Sequence, residues 1–339
     1  MNFKLAAVAA AVAATLALAA CGGGGDNGGA FAPIGNIVPP APPAPPAPPP
    51  PPPPPPAPAP APAPATTTFL YEKLPIPADA AGLLSDLNAE GAKGFMFLSE
   101  LGAGGSIGAV YVKMSDATYV YELKTPPADA GAFLAQANEA GGRGFRWVGA
   151  LSTGGTSSVM LYRKDSDAGA TYTYRSEASA TDKASFLAQV NAQGAAGYFN
   201  TAPGYIFGGD NIAVFEKSSA GSATYAYEVG DTAADTSAAL AQFEEKGARG
   251  YRYRYPYFFG SVSGSVFVKD LSQSSTFNYQ ALPGEATLDA EIAQSNTVGA
   301  AGYGFVGPLF VGAEPRNYYY KPSNCTGVVI CKPTNPFGL

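Results

Sequence analysis

The chain has 339 residues, 26 acidic against 20 basic, no histidine and a formal net charge of −6. It carries no basic block, and phosphate binding needs clustered Lys and Arg, so the composition argues against nucleic acid as a partner. The lack of histidine removes the commonest acid–base group and the Ser-His-Asp and Cys-His arrangements, and leaves too few soft ligands for a metal; no cofactor is expected.

Residues 1–20 read MNFKLAAVAAAVAATLALAA, with Lys4 before an apolar, alanine-rich run. That pattern is a secretory signal, not a folded helix. It ends in Leu18-Ala19-Ala20-Cys21, which resembles the lipobox of bacterial lipoproteins. The resemblance implies cleavage before Cys21, acylation of its thiol (diacylglycerol, with a palmitate-type chain on the new amine) and anchoring at a membrane. Gly22 after the cysteine favours the outer membrane in that family. No other stretch holds enough consecutive apolar residues to span a bilayer.

Residues 21–66 form a stalk. GGGGDNGG has no foldable pattern, and Pro39 to Ala65 is almost entirely Pro and Ala. Proline fixes φ and lacks the N–H that helices and sheets need, so an extended polyproline-like spacer of roughly 80 Å is expected.

Residues 67–323 repeat one unit five times, over approximately 67–116, 117–169, 170–222, 223–274 and 275–323. A GxxG-aromatic corner recurs at Gly91-Gly94-Phe95, Gly141-Gly144-Phe145, Gly194-Gly197-Tyr198, Gly247-Gly250-Tyr251 and Gly299-Gly302-Tyr303, at intervals of 50, 53, 53 and 52 residues. Each unit opens on a threonine- and aromatic-rich strand, TFLYE, TYVYE, TYTYR, TYAYE or TFNYQ. A short helix follows, with one apolar stripe such as Leu83, Leu84 and Leu87. Asp79, Asp129, Asp182, Asp235 and Thr287 stand where an N-cap would accept the orphan N–H bonds of the first turn. The first glycine of each corner fits the left-handed position that ends a helix, and the second a tight turn into a strand. A third strand carries aromatic-x-Lys, ending at Lys113, Lys164, Lys217, Lys269 and Lys321. It is expected to hairpin into the next unit, and the lysines to end strands as edge or solvent residues. The fold class is α+β: tandem β-α-β-β repeats forming antiparallel sheets with short helices on one face. Whether the units share one sheet or form separate modules stays open, as does the oligomeric state. A lone unit has too little core to stand alone, so neighbours should pack.

The run Leu87-Asn88-Ala89-Glu90-Gly91-Ala92-Lys93-Gly94-Phe95, closed by Tyr111-Val112-Lys113, resembles the small DUF4177-type domain of unknown function. The later copies depart from it, with Glu244 in place of the asparagine in the fourth. The resemblance implies a fold and no activity.

GxxG here follows a helix and precedes a strand, so a bound phosphate would meet the negative end of the helix dipole; it is a corner and not a phosphate loop. The distinctive stretch is Tyr251-Arg252-Tyr253-Arg254-Tyr255. Strict alternation would put the tyrosines on one face and Arg252 and Arg254 on the other, a positive patch for an envelope protein or glycan. Trp147, the sole tryptophan, is either a core plug or part of that surface. In the tail, residues 324–339, Cys325 and Cys331 are expected to form a disulfide in an exported protein. These features describe a lipid-anchored envelope protein with a structural or binding role. The alternative is a cell-envelope glycan hydrolase working through acidic residues.

Overall fold

A computed structural model describes residues 67–334, apart from 154–156, 313 and 328. The signal, Cys21 and the Pro/Ala stalk lie outside the described residues.

Five β-α-β-β units follow one another. The first comprises β1 (Leu70–Leu74), α1 (Ala80–Ala92), β2 (Met96–Ala103) and β3 (Ser106–Lys113); the second β4 (Tyr119–Lys124), α2 (Ala130–Gly142), β5 (Arg146–Thr153) and β6 (Ser157–Asp165). The third has β7 (Tyr172–Ala178), α3 (Lys183–Ala195), β8 (Phe199–Phe207) and β9 (Asp210–Ser218); the fourth β10 (Tyr225–Asp231), α4 (Thr236–Ala248), β11 (Arg252–Phe259) and β12 (Val262–Asp270). The fifth has β13 (Thr276–Pro283), α5 (Leu288–Ala300), β14 (Gly304–Val311) and β15 (Glu314–Ser323).

Each unit makes its own antiparallel three-stranded sheet, with the third strand in the middle: β1-β3-β2, β4-β6-β5 and so on. The expected hairpin from a third strand into the next unit therefore does not form. The third strand already has both edges paired, by its own first and second strands, and has no free edge to offer.

The helix N-caps are as the sequence predicts. Asp79, Asp129, Asp182 and Asp235 accept backbone N–H bonds of the first turn, and Thr287 does the same through its hydroxyl. The left-handed position read for the first glycine of each corner falls on the second instead. The first sits inside the helix. The second takes the left-handed conformation, with φ +90° at Gly94 and +88° at Gly144. What demands glycine at the first site is close approach. A Cβ on Gly91 would lie 2.2 Å from the Tyr119 carbonyl oxygen, and one on Gly141 2.2 Å from that of Tyr172. Those carbonyls belong to the next unit.

That approach marks a joint built five times. Each helix lies along the free edge of the next unit's first strand. The Asn191 side-chain amide accepts from Tyr227 N (2.8 Å) and donates to Tyr227 O (3.2 Å), standing in for a neighbouring strand. Asn88 does so with Tyr121 and Asn138 with Tyr174. Glu244, where the fourth unit departs from asparagine, accepts from Tyr279 N. The same tyrosine ring reaches back. The hydroxyls of Tyr121, Tyr174, Tyr227 and Tyr279 accept from Phe97, Trp147, Asn200 and Tyr253 N at 2.7–2.8 Å. Exposed strand edges invite unwanted pairing, and here helix and tyrosine cover them.

The fifth joint closes the series onto the first unit. Asn296 bonds both backbone groups of Tyr71, Phe69 N donates to Gly299 O (3.0 Å), and Phe305 N donates to the Tyr71 hydroxyl. A Cβ on Gly299 would meet Phe69 O at 2.1 Å. The five units thus form a closed ring. The cores are shared accordingly, since Phe69, Tyr71 and Leu83 pack in one cluster with Leu288, Phe305 and Tyr319.

Candidate functional site

The aromatic-x-Lys signature resolves first. Lys113, Lys164, Lys217 and Lys269 turn back from the third strand and donate to the carbonyls of Lys93, Arg143, Ala196 and Arg249 at 2.8–2.9 Å. These residues are the helix C-caps. Each ammonium, and that of Lys321, also lies 5.4–5.9 Å from the centroid of the corner aromatic, from Phe95 to Tyr303. The cation satisfies orphan carbonyls and faces the negative end of the helix dipole. The lysines stand at or near strand ends, with Lys164 and Lys217 exposed as expected, and they also cap helices, a role the sequence did not reveal.

The centre of the ring gathers charge that the sequence scatters over three repeats. Every second strand has a β-bulge at one place, between Phe97 and Ser99, Trp147 and Gly149, Asn200 and Ala202, Tyr253 and Tyr255, and Phe305 and Gly307. The bulge breaks alternation. Tyr253 pairs with Phe267 and stacks on Phe243 of α4. Tyr255 pairs with Val266, which moves it to the Arg252 face, and its hydroxyl donates to Asn200 Oδ1. The positive surface patch expected at Arg252 and Arg254 is absent, because both side chains are buried, at 2% and 6% exposed. Tyr253 and Tyr255 are buried too, while Tyr251 is half-buried at the corner. Trp147 is a core residue, edge-on to Phe133 and Tyr205.

The C-terminal tail covers these arginines. Arg252 Nη1 donates to the carbonyls of Ile330 (2.8 Å) and Lys332 (2.6 Å), and its guanidinium lies 4.1 Å from the Tyr320 ring centroid. Arg254 Nη1 donates to Thr334 Oγ1 at 2.8 Å. Lys332 Nζ reaches Asp165 and Asp167 of the second unit at 3.0–3.2 Å. Cys325 and Cys331 form the expected disulfide, with Cα atoms 5.7 Å apart, and Tyr320 donates to Cys331 O.

Alongside, Arg163 grips Asp165 through Nε at 2.6 Å, and Arg146 meets Glu216 at 2.8 Å. Tyr174 donates to the second Glu216 oxygen at 2.6 Å. Burial pushes the Asp165 carboxyl up, but Arg163 and Lys332 outweigh it and hold the group at about 2. Position gave no local signal of this cluster; what could have found it is that Arg146, Arg163, Glu216 and Arg252 break otherwise apolar strands.

Two recesses lie away from the centre. One, of about 580 Å³, is bounded by the turns of the second, third and fourth units and by Thr326, Val329 and Ile330 of the tail. The other, about 780 Å³, runs between the fourth and fifth units, walled by Phe243, Tyr253, Leu309 and Val311 and by Phe258 and Phe310. Phe258 and Phe310 stand 73% and 80% exposed. Among the described residues, no group of three or more Cys, Asp and Glu is placed to hold a metal, and no helix is long and apolar enough to cross a membrane.

Fold and site together define a closed ring of five α+β units plugged by its own C-terminal tail. No family model, no curated protein and no solved structure matches the chain.

Proposed function

We propose that this chain is a lipid-tethered envelope protein whose ring binds a protein partner through the groove between its fourth and fifth units. The observation that carries the binding role is Phe258 and Phe310, two large apolar side chains left in solvent at the rim of a 780 Å³ groove. Exposed apolar area beside a concave apolar wall marks interaction surfaces, since solvent contact there is unfavourable. The remaining polar chemistry is spent on architecture: caps, joints and the central ion pairs.

The tether rests on Leu18-Ala19-Ala20-Cys21 and on the Pro/Ala run that would hold the ring away from the bilayer. The likeness to the DUF4177-type domain adds a fold without an activity. The hydrolase alternative gains no support. Glycosidases need two carboxyls far enough apart to flank a sugar bond, whereas Glu72 and Glu90 contact each other directly.

The test uses residues 66–339 as bait against envelope extracts, alongside the F258S/F310S variant. A protein retained by the wild type and lost by the variant supports the reading. An identical set retained by both overturns it. For the tether, Cys21→Ala is expected to move the protein from the membrane to the soluble fraction, and unchanged partitioning overturns it.

A further inference from the structure

At the centre of the ring a small cavity of about 70 Å³ remains under the tail. Arg146, Arg163 and Arg254 line it, with Thr201 and Thr334 and an apolar wall that includes Leu98, Val148 and Phe199. Two of the arginines are neutralised in place, Arg146 by Glu216 and Arg163 by Asp165.

Arg254 is not. Among the described residues its hydrogen bond goes to a hydroxyl and its Nε has no partner, and its guanidinium lies over the Phe199 ring at 4.8 Å. Its neighbour Arg252 is bonded to two carbonyls, which are neutral. Among the described residues, two buried guanidinium charges therefore lack a carboxylate. A buried charge left unpaired costs several kcal/mol, so burial of this kind calls for a counter-charge. Burial and the nearby Arg252 push the Arg254 guanidinium down to about 10.

We propose that this cavity is an anion site, with Arg254 as its principal ligand and Arg146 and Arg163 setting a positive surround. The volume admits one small anion or a single carboxylate or phosphate group, and excludes a nucleotide or a sugar ring. The planar fork of Arg254, with Nε free, suits two-point contact with an oxyanion. The ligand it would take is a free small inorganic anion.

The test follows Tm during titration with inorganic phosphate, and separately with chloride, at constant ionic strength held with gluconate. The wild type and R254Q are compared. A saturable rise of a few degrees in the wild type, absent in R254Q, supports the site. No rise in the wild type, or an equal rise in R254Q, overturns the proposal. Should R254Q fail to fold, bromide-soaked wild-type crystals decide. An anomalous peak within hydrogen-bond distance of Arg254 supports the site, and its absence rejects it.

Discussion

The side-chain amide of Asn296 exchanges two hydrogen bonds with the backbone of Tyr71, 225 residues away in sequence. At the other four joints the chain itself links neighbouring units. This contact joins the last unit to the first with no covalent help. Asn296→Ala leaves the N–H and C=O of Tyr71 short of partners, and such orphaned groups cost about 1–3 kcal/mol. The expected outcome is a loss of that order in chemical denaturation. Hydrogen exchange should rise first in β1 and α5, the two elements that the closing joint holds together.

Adjacent glycines in α2 should respond with opposite sign. Alanine at Gly141 would place its Cβ 2.2 Å from the Tyr172 carbonyl, while alanine at Gly142 meets nothing within 4 Å. Gly141→Ala is expected to destabilise by about 1–3 kcal/mol through overpacking of the joint. Gly142→Ala should stabilise by up to about 1 kcal/mol through helix propensity. Parallel denaturant melts of the two variants check this.

The disulfide closes a short loop in the tail that covers Arg252. Replacing Cys325 and Cys331 by serine should cost about 2 kcal/mol from chain entropy alone. The Ile330, Cys331 and Lys332 carbonyls, which accept from Arg252 and Tyr320, should then loosen. Faster hydrogen exchange of the tail in the double variant, with the five helices still protected, is the expected result.

Glu72 supplies a pH dependence. Burial, and then its contact with Glu90, raise its carboxyl from 4.5 to about 7. The folded chain therefore keeps a proton that the unfolded chain has released. By linkage this stabilisation is complete below about 4.5 and is lost as pH rises through 7. The lowered value of Glu90 acts in the opposite sense and at more acid pH. No histidine titrates in this window. Wild-type Tm should therefore fall more between pH 5 and 8 than that of Glu72→Gln, as read by thermal melts in matched buffers.

Much of each unit is legible locally. The caps at Asp79 to Thr287, the glycine-aromatic corners and the strand-rich TYxY runs are contacts between residues close in sequence, and the repeat shows each of them five times. The disulfide follows from two cysteines six apart in a chain whose sequence reads as exported. Arg252 and Arg254 misled because period-two reasoning assumes an unbroken ladder. A bulge is one extra residue, and nothing local announces it. The tail that covers them comes from about 80 residues further on.

The sequence by itself determines the β-α-β-β unit, its five-fold recurrence and its helix N-caps, because short-range sterics and hydrogen bonding decide these. Tertiary structure decides what the repeated Asn, Gly, Tyr and Lys are for. Asn88 and its counterparts imitate a strand edge, and Gly91 and its counterparts admit a neighbour's carbonyl. The lysines cap helices, and the tail closes over charges drawn from several units. Each of these depends on which unit lies beside which. That adjacency is set by the cost of leaving first-strand edges and helix faces uncovered; neighbours along the chain cover four of these edges, and ring closure covers the fifth.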